Sequence, residues 1–167
     1  DGQERWVSPG HDQLGVSLAE KFLLSIGAPH SFIPHVQSLV GNHMASVQVR
    51  SRPSLPQVRR LARRVQPATL DQLFTVIRSD LAGRPPLPPD PSPGLLWLEE
   101  VAQEEALHAA APQPLVLGRH LIDRGLQPGV HFKRILEALF ELQLDGAFTS
   151  LEEAQSFIDT LIDGHAT

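Results

Sequence analysis

Two short segments concentrate the residue types able to hold a metal ion. Gly10-His11-Asp12-Gln13-Leu14-Gly15 sets an imidazole beside a carboxylate at a helix entrance. Leu39-Val40-Gly41-Asn42-His43 ends a second apolar run on another imidazole. Imidazole nitrogen with carboxylate oxygen suits a divalent ion, Mg or a transition metal, whose work on a phosphate ester would be to activate water. Such a site needs several converging ligands with positions left open for water and phosphate, and His11, Asp12 and His43 stand on separate elements. His43, on an apolar helix face, reads either as a ligand or as a satisfied, half-buried histidine. His11, at a Gly-rich helix start, is placed as well for an anion or a structural role as for a metal. The other histidines show no ligand spacing.

The second concentration is cationic. Arg50, Arg52, Arg59, Arg60, Arg63, Arg64, Arg78 and Arg84 fall in one stretch opposed only by Asp71 and Asp80. Arg59/Arg63 and Arg60/Arg64 are i, i+4 pairs opposite a Val58-Leu61-Ala62-Val65 face, so the guanidinium groups form a stripe. On a chain of net charge -5, a local stripe of this kind is a footprint for a phosphate backbone, read by shape rather than by base. Arg119 and Lys133 add weaker contributions. The alternative is that the arginines pair with acids elsewhere, above all with Glu99, Glu100, Glu104 and Glu105, or simply solvate a helix face.

Composition bounds what these groups can belong to. A chain of 167 residues with 41% hydrophobic residues holds one good core or two small ones. Cys is absent, which excludes disulfides and Cys-based zinc sites and fits a reducing compartment such as the cytoplasm. No apolar run approaches the roughly 20 residues of a membrane span. There is no Walker loop, no G-x-G-x-x-G, no nucleophile elbow and no H-E-x-x-H.

The elements that must position these groups are all helical. Residues 13–26 make a first helix, with Leu18, Ala19, Phe22, Leu23 and Ile26 on one side and Gly27 as its stop. Ser31 is placed to cap a second, with Pro34 in its first turn. Residues 45–53 connect, and the Val47/Val49 alternation is too short to define a strand. Ser54/Gln57 and Thr69/Gln72 are capping boxes for a third and fourth helix, the latter stopping at Gly83. Residues 85–94, PPLPPDPSPG, read as a polyproline loop. A fifth helix spans Leu95–Ala111 before Pro112, with Trp97, like Trp6, as a packing residue. The fold class is all-α: a bundle of about seven short helices in paired hairpins, with no sheet.

Residues 117–158 carry the most ordered pattern. G-x-x-L-I-x-x-G-L-x-P-G precedes a helix whose Phe132, Ile135, Leu136, Leu139 and Phe140 fall at i, i+3, i+4, i+7 and i+8. Then come L-D-G, with Gly146 as stop, and Ser150 with Glu153 as a capping box before a last helix burying Leu151, Ala154, Ile158 and Leu161. This order of turns and helices resembles the C-terminal helical region of the tRNA nucleotidyltransferase (CCA-adding) and poly(A) polymerase family. The G-H-D-x-x-G segment at His11 and the L-V-x-x-H segment at His43 resemble the later motifs of the HD domains attached to such enzymes. That alignment puts the metal-binding His-Asp doublet of those domains before residue 1.

The resemblance implies a partial HD-like segment over residues 1–52 and a C-terminal helical, RNA-binding type of domain over 53–167. It implies that the chain positions tRNA or another RNA, without contact to a membrane. The Gly-Ser pair and D-x-D carboxylates of the family do not occur in these residues, so nucleotide addition (of CCA, CC or A) would belong to an N-terminal nucleotidyltransferase head outside them. A divalent metal is implied only if the HD-like half is functional. Two other readings stay open: a divergent HD-type metal-dependent phosphohydrolase, and a noncatalytic helical interaction module.

Overall fold

The computed structural model describes residues 10–83 and 90–164, all of them helix, turn or irregular chain without a strand. Nine helices occur among the described residues. Two exceed the expected count. They are four- and five-residue turns, too short to leave a periodic signal in the sequence. The chain divides into two compact units at Ala111/Pro112. The expected boundary at 52/53 falls inside the first unit, because the segment before it packs on helices that come after it.

The first unit contains α1 (His11–Ser25), α2 (Ile33–Asn42), α3 (Ala45–Gln48), α4 (Leu55–Val65), α5 (Leu70–Ala82) and α6 (Pro93–Glu104). Its core is the inner face of α4, α5 and α6: Val58, Val65, Leu73, Ile77, Leu95 and Val101 are all essentially inaccessible. Each such side chain contributes about 1.5–3 kcal/mol by leaving water. Both capping signals hold. The Gln57 side chain accepts from Ser54 N–H at 2.8 Å, and Thr69 and Gln72 bond reciprocally at 3.1 and 3.3 Å.

The structure departs from the sequence pattern at three points. Ser31 does not cap α2: the N-cap is Phe32, without a side-chain bond, and a turn closed by Phe32 N–H on Pro29 O leads the chain in. The fifth helix ends at Glu104 rather than Ala111. Ala106 takes φ 52°, which turns Leu107 into the core and returns His108 to the start of α5. There His108 O accepts from Asp71 N–H at 3.2 Å, and His108 Nδ1 lies 2.9 Å from Asp71 Oδ1. The apolar side of α1 is mostly not core. Only Leu23 is buried, while Leu18, Phe22 and Ile26 are more than half exposed, because α2 packs on the neighbouring face through Gly15 and Val16. Of the polyproline loop, residues 84–89 lie outside the described residues.

The second unit contains α7 (Gly118–Ile122), α8 (Val130–Asp145) and α9 (Gln155–Asp163). Ile135 and Leu139 of the expected stripe join Leu121, Phe148, Ala154 and Ile158 in its core, with Phe132 and Leu136 packed against them. Gly146 ends α8 in the left-handed region, φ 82°, where Ala147 N–H reaches Leu142 O at 3.0 Å. A side chain is strained there, so glycine is the residue that fits. The Ser150/Glu153 device forms one turn early. Ser150 Oγ accepts from Glu153 N–H at 3.2 Å, but the Glu153 carboxylate reaches back to Thr149, and α9 starts only at Gln155. The turn 150–154 is thus what the device closes.

Candidate nucleic-acid interface

Helix α4 carries its arginines on the face opposite Val58, Leu61, Ala62 and Val65, as the amphipathic pattern requires. The acids of α6 and its C-cap take one of them, Arg59, and two arginines outside α4, Arg52 and Arg78. Arg52 donates to Glu104 at 2.6 Å and lies 3.7 Å from Glu100. Glu104 in turn holds that guanidinium above its ordinary range. Arg59, largely buried, pairs with Glu105 at 2.9 Å. Arg78 makes a two-pronged contact with Glu99 at 2.9 and 2.6 Å. Pairing with the acidic helix, the alternative the sequence left open, therefore holds for Arg52, Arg59 and Arg78.

Arg64 is placed differently. Its Nε donates to Asn42 Oδ1 at 2.7 Å, tying α4 to the end of α2. Arg60 and Arg64, with Arg50 from the segment after α3, line a pocket of about 510 Å³. Its floor is apolar, made by Ala45, Leu61 and Leu98, all buried. Gln48, Ser51 and Gln57 supply the neutral polar groups. A smaller, adjoining pocket of about 170 Å³ shares Ala45, Gln48 and Arg64 and reaches Asp12, Gln13 and Asn42. Arg60 and Arg63 each make a further polar or electrostatic contact. Arg119 and Lys133 belong to the second unit, where Arg119 Nε lies 3.2 Å from His120 Nε2 and Lys133 lies 3.9 Å from Glu137.

The histidines come together although 32 positions separate them. His11 Nε2 and His43 Nε2 are 3.1 Å apart, with the rings edge to face. His43 Nδ1 is 2.6 Å from Val40 O. A carbonyl only accepts, so Nδ1 carries the proton and the neutral ring presents Nε2 as a lone pair. That is the orientation of a metal-binding imidazole, and equally of one accepting from His11 Nε2–H. Asp12 does not complete the set. Its carboxylate is held below its ordinary range chiefly by Gln13 N–H, and among the described residues no three His, Asp or Glu side chains converge to hold an ion.

Reasoning from sequence missed Gln48, Ser51 and Gln57 as pocket residues. Gln57 is legible only as a cap, and Gln48 and Ser51 lie in a connection without periodicity. Arg50 is legible as part of the cationic stretch but not as a neighbour of Arg60 and Arg64.

Comparison with known proteins follows the same lines. An A-adding tRNA nucleotidyltransferase of Deinococcus radiodurans is 27% identical over 89% of this chain and 34% of its own length. A CC-adding tRNA nucleotidyltransferase of Thermus thermophilus is 30% identical over 89% of this chain and 32% of its own. The chain is similar to the C-terminal region of tRNA nucleotidyltransferases. It spans about a third of the length of these relatives. No family profile and no solved structure matches. The tRNA nucleotidyltransferase likeness therefore rests on sequence, and it extends through both compact units. No described helix is long and apolar enough to cross a membrane.

Proposed function

We infer that this chain is the tRNA-positioning C-terminal part of a tRNA nucleotidyltransferase, working in the cytoplasm beside a head that adds the nucleotides. The observation that carries the reading is that one relative is A-adding and the other CC-adding, yet each matches 89% of the chain, so the two matches overlap over most of it. What such enzymes share here is then not the choice of nucleotide but the handling of the RNA. Holding the RNA so that its reacting end meets the head converts an encounter into a positioned reaction, which is a large part of what a non-reacting domain can contribute to rate.

The cationic surface of α4 and the segment before it supports the reading, with Arg60, Arg64 and Arg50 as the groups that meet phosphate. Arg52 and Arg59 pair with Glu104 and Glu105, so those carboxylates compete with phosphate for them. The test is a gel shift with tRNA at two salt concentrations, comparing the wild type with Arg60→Glu/Arg64→Glu. Binding that weakens with salt and is lost on reversal supports the reading. Wild-type protein that leaves tRNA free at low salt refutes it for this chain and favours a noncatalytic interaction module.

The facing Nε2 atoms of His11 and His43 favour a second reading, the HD-type metal-dependent phosphohydrolase. Two imidazoles supply two ligands of a divalent metal, and the described residues do not complete the set. Phosphatase activity with added divalent metal, abolished by either His11→Ala or His43→Ala, would establish the reading.

A further inference from the structure

We propose that the exposed apolar ridge of α1 is the seat of a helix from the protein's own chain, ahead of residue 1. The proposal rests on the reading that a nucleotide-adding head accompanies this region, and adds where that part of the chain is anchored.

Leu14 and Phe22 are each 62% exposed, Ile26 at the C-cap 61% and Leu18 54%, whereas Leu23 of the same helix is buried. No other described helix leaves more than one large apolar side chain so exposed. Scattered apolar residues at a surface are ordinary, but four in one row mark a face that has a partner. That partner is not α2, which meets Gly15 and Val16 through Val40 and Gly41 on the neighbouring face.

Spacing indicates what covers the row. Its members fall at i, i+4, i+8 and i+12. Residues four apart advance by about 40° around a helix, so the row drifts as it runs. Such a ridge fits the groove of a helix crossing at about 50°, the commonest packing inside globular folds. A coiled coil with a second copy needs instead apolar residues alternating three and four apart. Every such seam through this row meets Gly15, Ser17, Lys21 or Ser25. The ridge therefore suits a crossing neighbour within the fold.

Position supplies that neighbour. The two relatives are matched over 34% and 32% of their lengths, in the C-terminal region, so most of such a protein lies on the α1 side. α1 is the first described helix. A segment ahead of residue 1 is tethered through residues 1–10, which reach at most about 35 Å, further than the roughly 22 Å length of α1. So short a tether makes docking an intramolecular event at high effective concentration.

The chain lacks Cys, so Phe22→Cys or Leu18→Cys places a single thiol in these 167 residues. Its labelling rate is compared between the 167-residue chain and the protein that includes the sequence ahead of residue 1. Each labelled site is read by peptide mass, and tRNA binding of the longer protein is measured in parallel. Labelling is expected to be at least about tenfold slower in the longer protein, as for a site open in a tenth of the molecules or fewer. Leu18→Asp/Phe22→Asp should leave the urea midpoint of the 167-residue chain unchanged and lower that of the longer protein.

Protection together with tRNA binding supports the docked helix and the RNA reading. Protection without tRNA binding supports the docked helix and refutes the RNA reading alone. Equal labelling in the two proteins, or a midpoint that the double substitution leaves unchanged in both, overturns the docked helix, and tRNA binding then leaves the RNA reading standing. Protection already present in the 167-residue chain, with the mass of a dimer that Phe22→Asp dissolves, overturns it as well and assigns the ridge to a second copy.

Discussion

His11 and His43 meet through their Nε2 atoms at 3.1 Å because two glycines let their helices close on each other. A Cβ at Gly15 would lie 3.0 Å from Val40 Cγ1, and one at Gly41 would lie 3.2 Å from Val16 Cγ2. The glycines of the two histidine segments are therefore packing residues, one on each helix, and the imidazole pair is the outcome of that close approach.

The first prediction follows from this contact. Gly15→Val places a branched side chain against Val40, and the helices must separate. Overpacking of this kind costs about 1–3 kcal/mol. Urea unfolding should show a lower midpoint, and the His11 and His43 imidazole resonances should lose their mutual contact. An unchanged midpoint with the contact retained would show that the two helices are not held by this approach.

The acids of α6 should act as competitors of phosphate. Glu104→Gln/Glu105→Gln removes the carboxylate nearest Arg52 and the carboxylate paired with Arg59. Both carboxylates lie at the surface, and surface ion pairs contribute only about 0–1 kcal/mol, so the fold should tolerate the change. On the RNA-positioning reading, tRNA affinity should rise, and the slope of its logarithm against log salt should steepen by about one to two. A gel shift across a salt series checks both.

The second unit depends on a small core. Ile158 is fully inaccessible within it, and so is Ile135. Ile158→Ala should cost about 2–5 kcal/mol through lost burial and the cavity left behind. Circular dichroism during urea unfolding measures it. A loss below about 0.5 kcal/mol would mean that the site collapses without a cavity.

Glu153 gives the unit a pH dependence. Thr149 N–H, at 2.7 Å, and then the Thr149 hydroxyl hold its carboxyl below the ordinary value of 4.5. A carboxyl whose folded value is depressed stabilises the fold at pH above the unfolded value. That contribution fades as pH falls below 4.5 and is gone below the folded value. Melting temperature should therefore fall over this acidic range in the wild type and less steeply in Glu153→Gln, whose amide still accepts from Thr149. Parallel profiles in the two proteins would exclude the carboxylate as the cause.

By itself, the sequence determined the helical class, the capping boxes of α4 and α5, the inner faces of α4 and α8, and the stop at Gly146. These are local: a period of 3.6, a side chain reaching its own backbone and a left-handed residue are written within a few positions. The likeness to tRNA nucleotidyltransferases was legible for the same reason, as an ordered run of such signals. Tertiary structure alone decided which arginines α6 takes and which line a pocket, because Glu104 and Arg52 are neighbours only after α6 folds back on α4. It also decided that α6 stops at Glu104. Leu107 gains more by entering the core, and His108 by meeting Asp71, than a longer helix would gain from one more exposed turn. The apolar side of α1 followed the same rule: periodicity marks a face that avoids water, but only a partner helix buries it, and α2 lies on the neighbouring face.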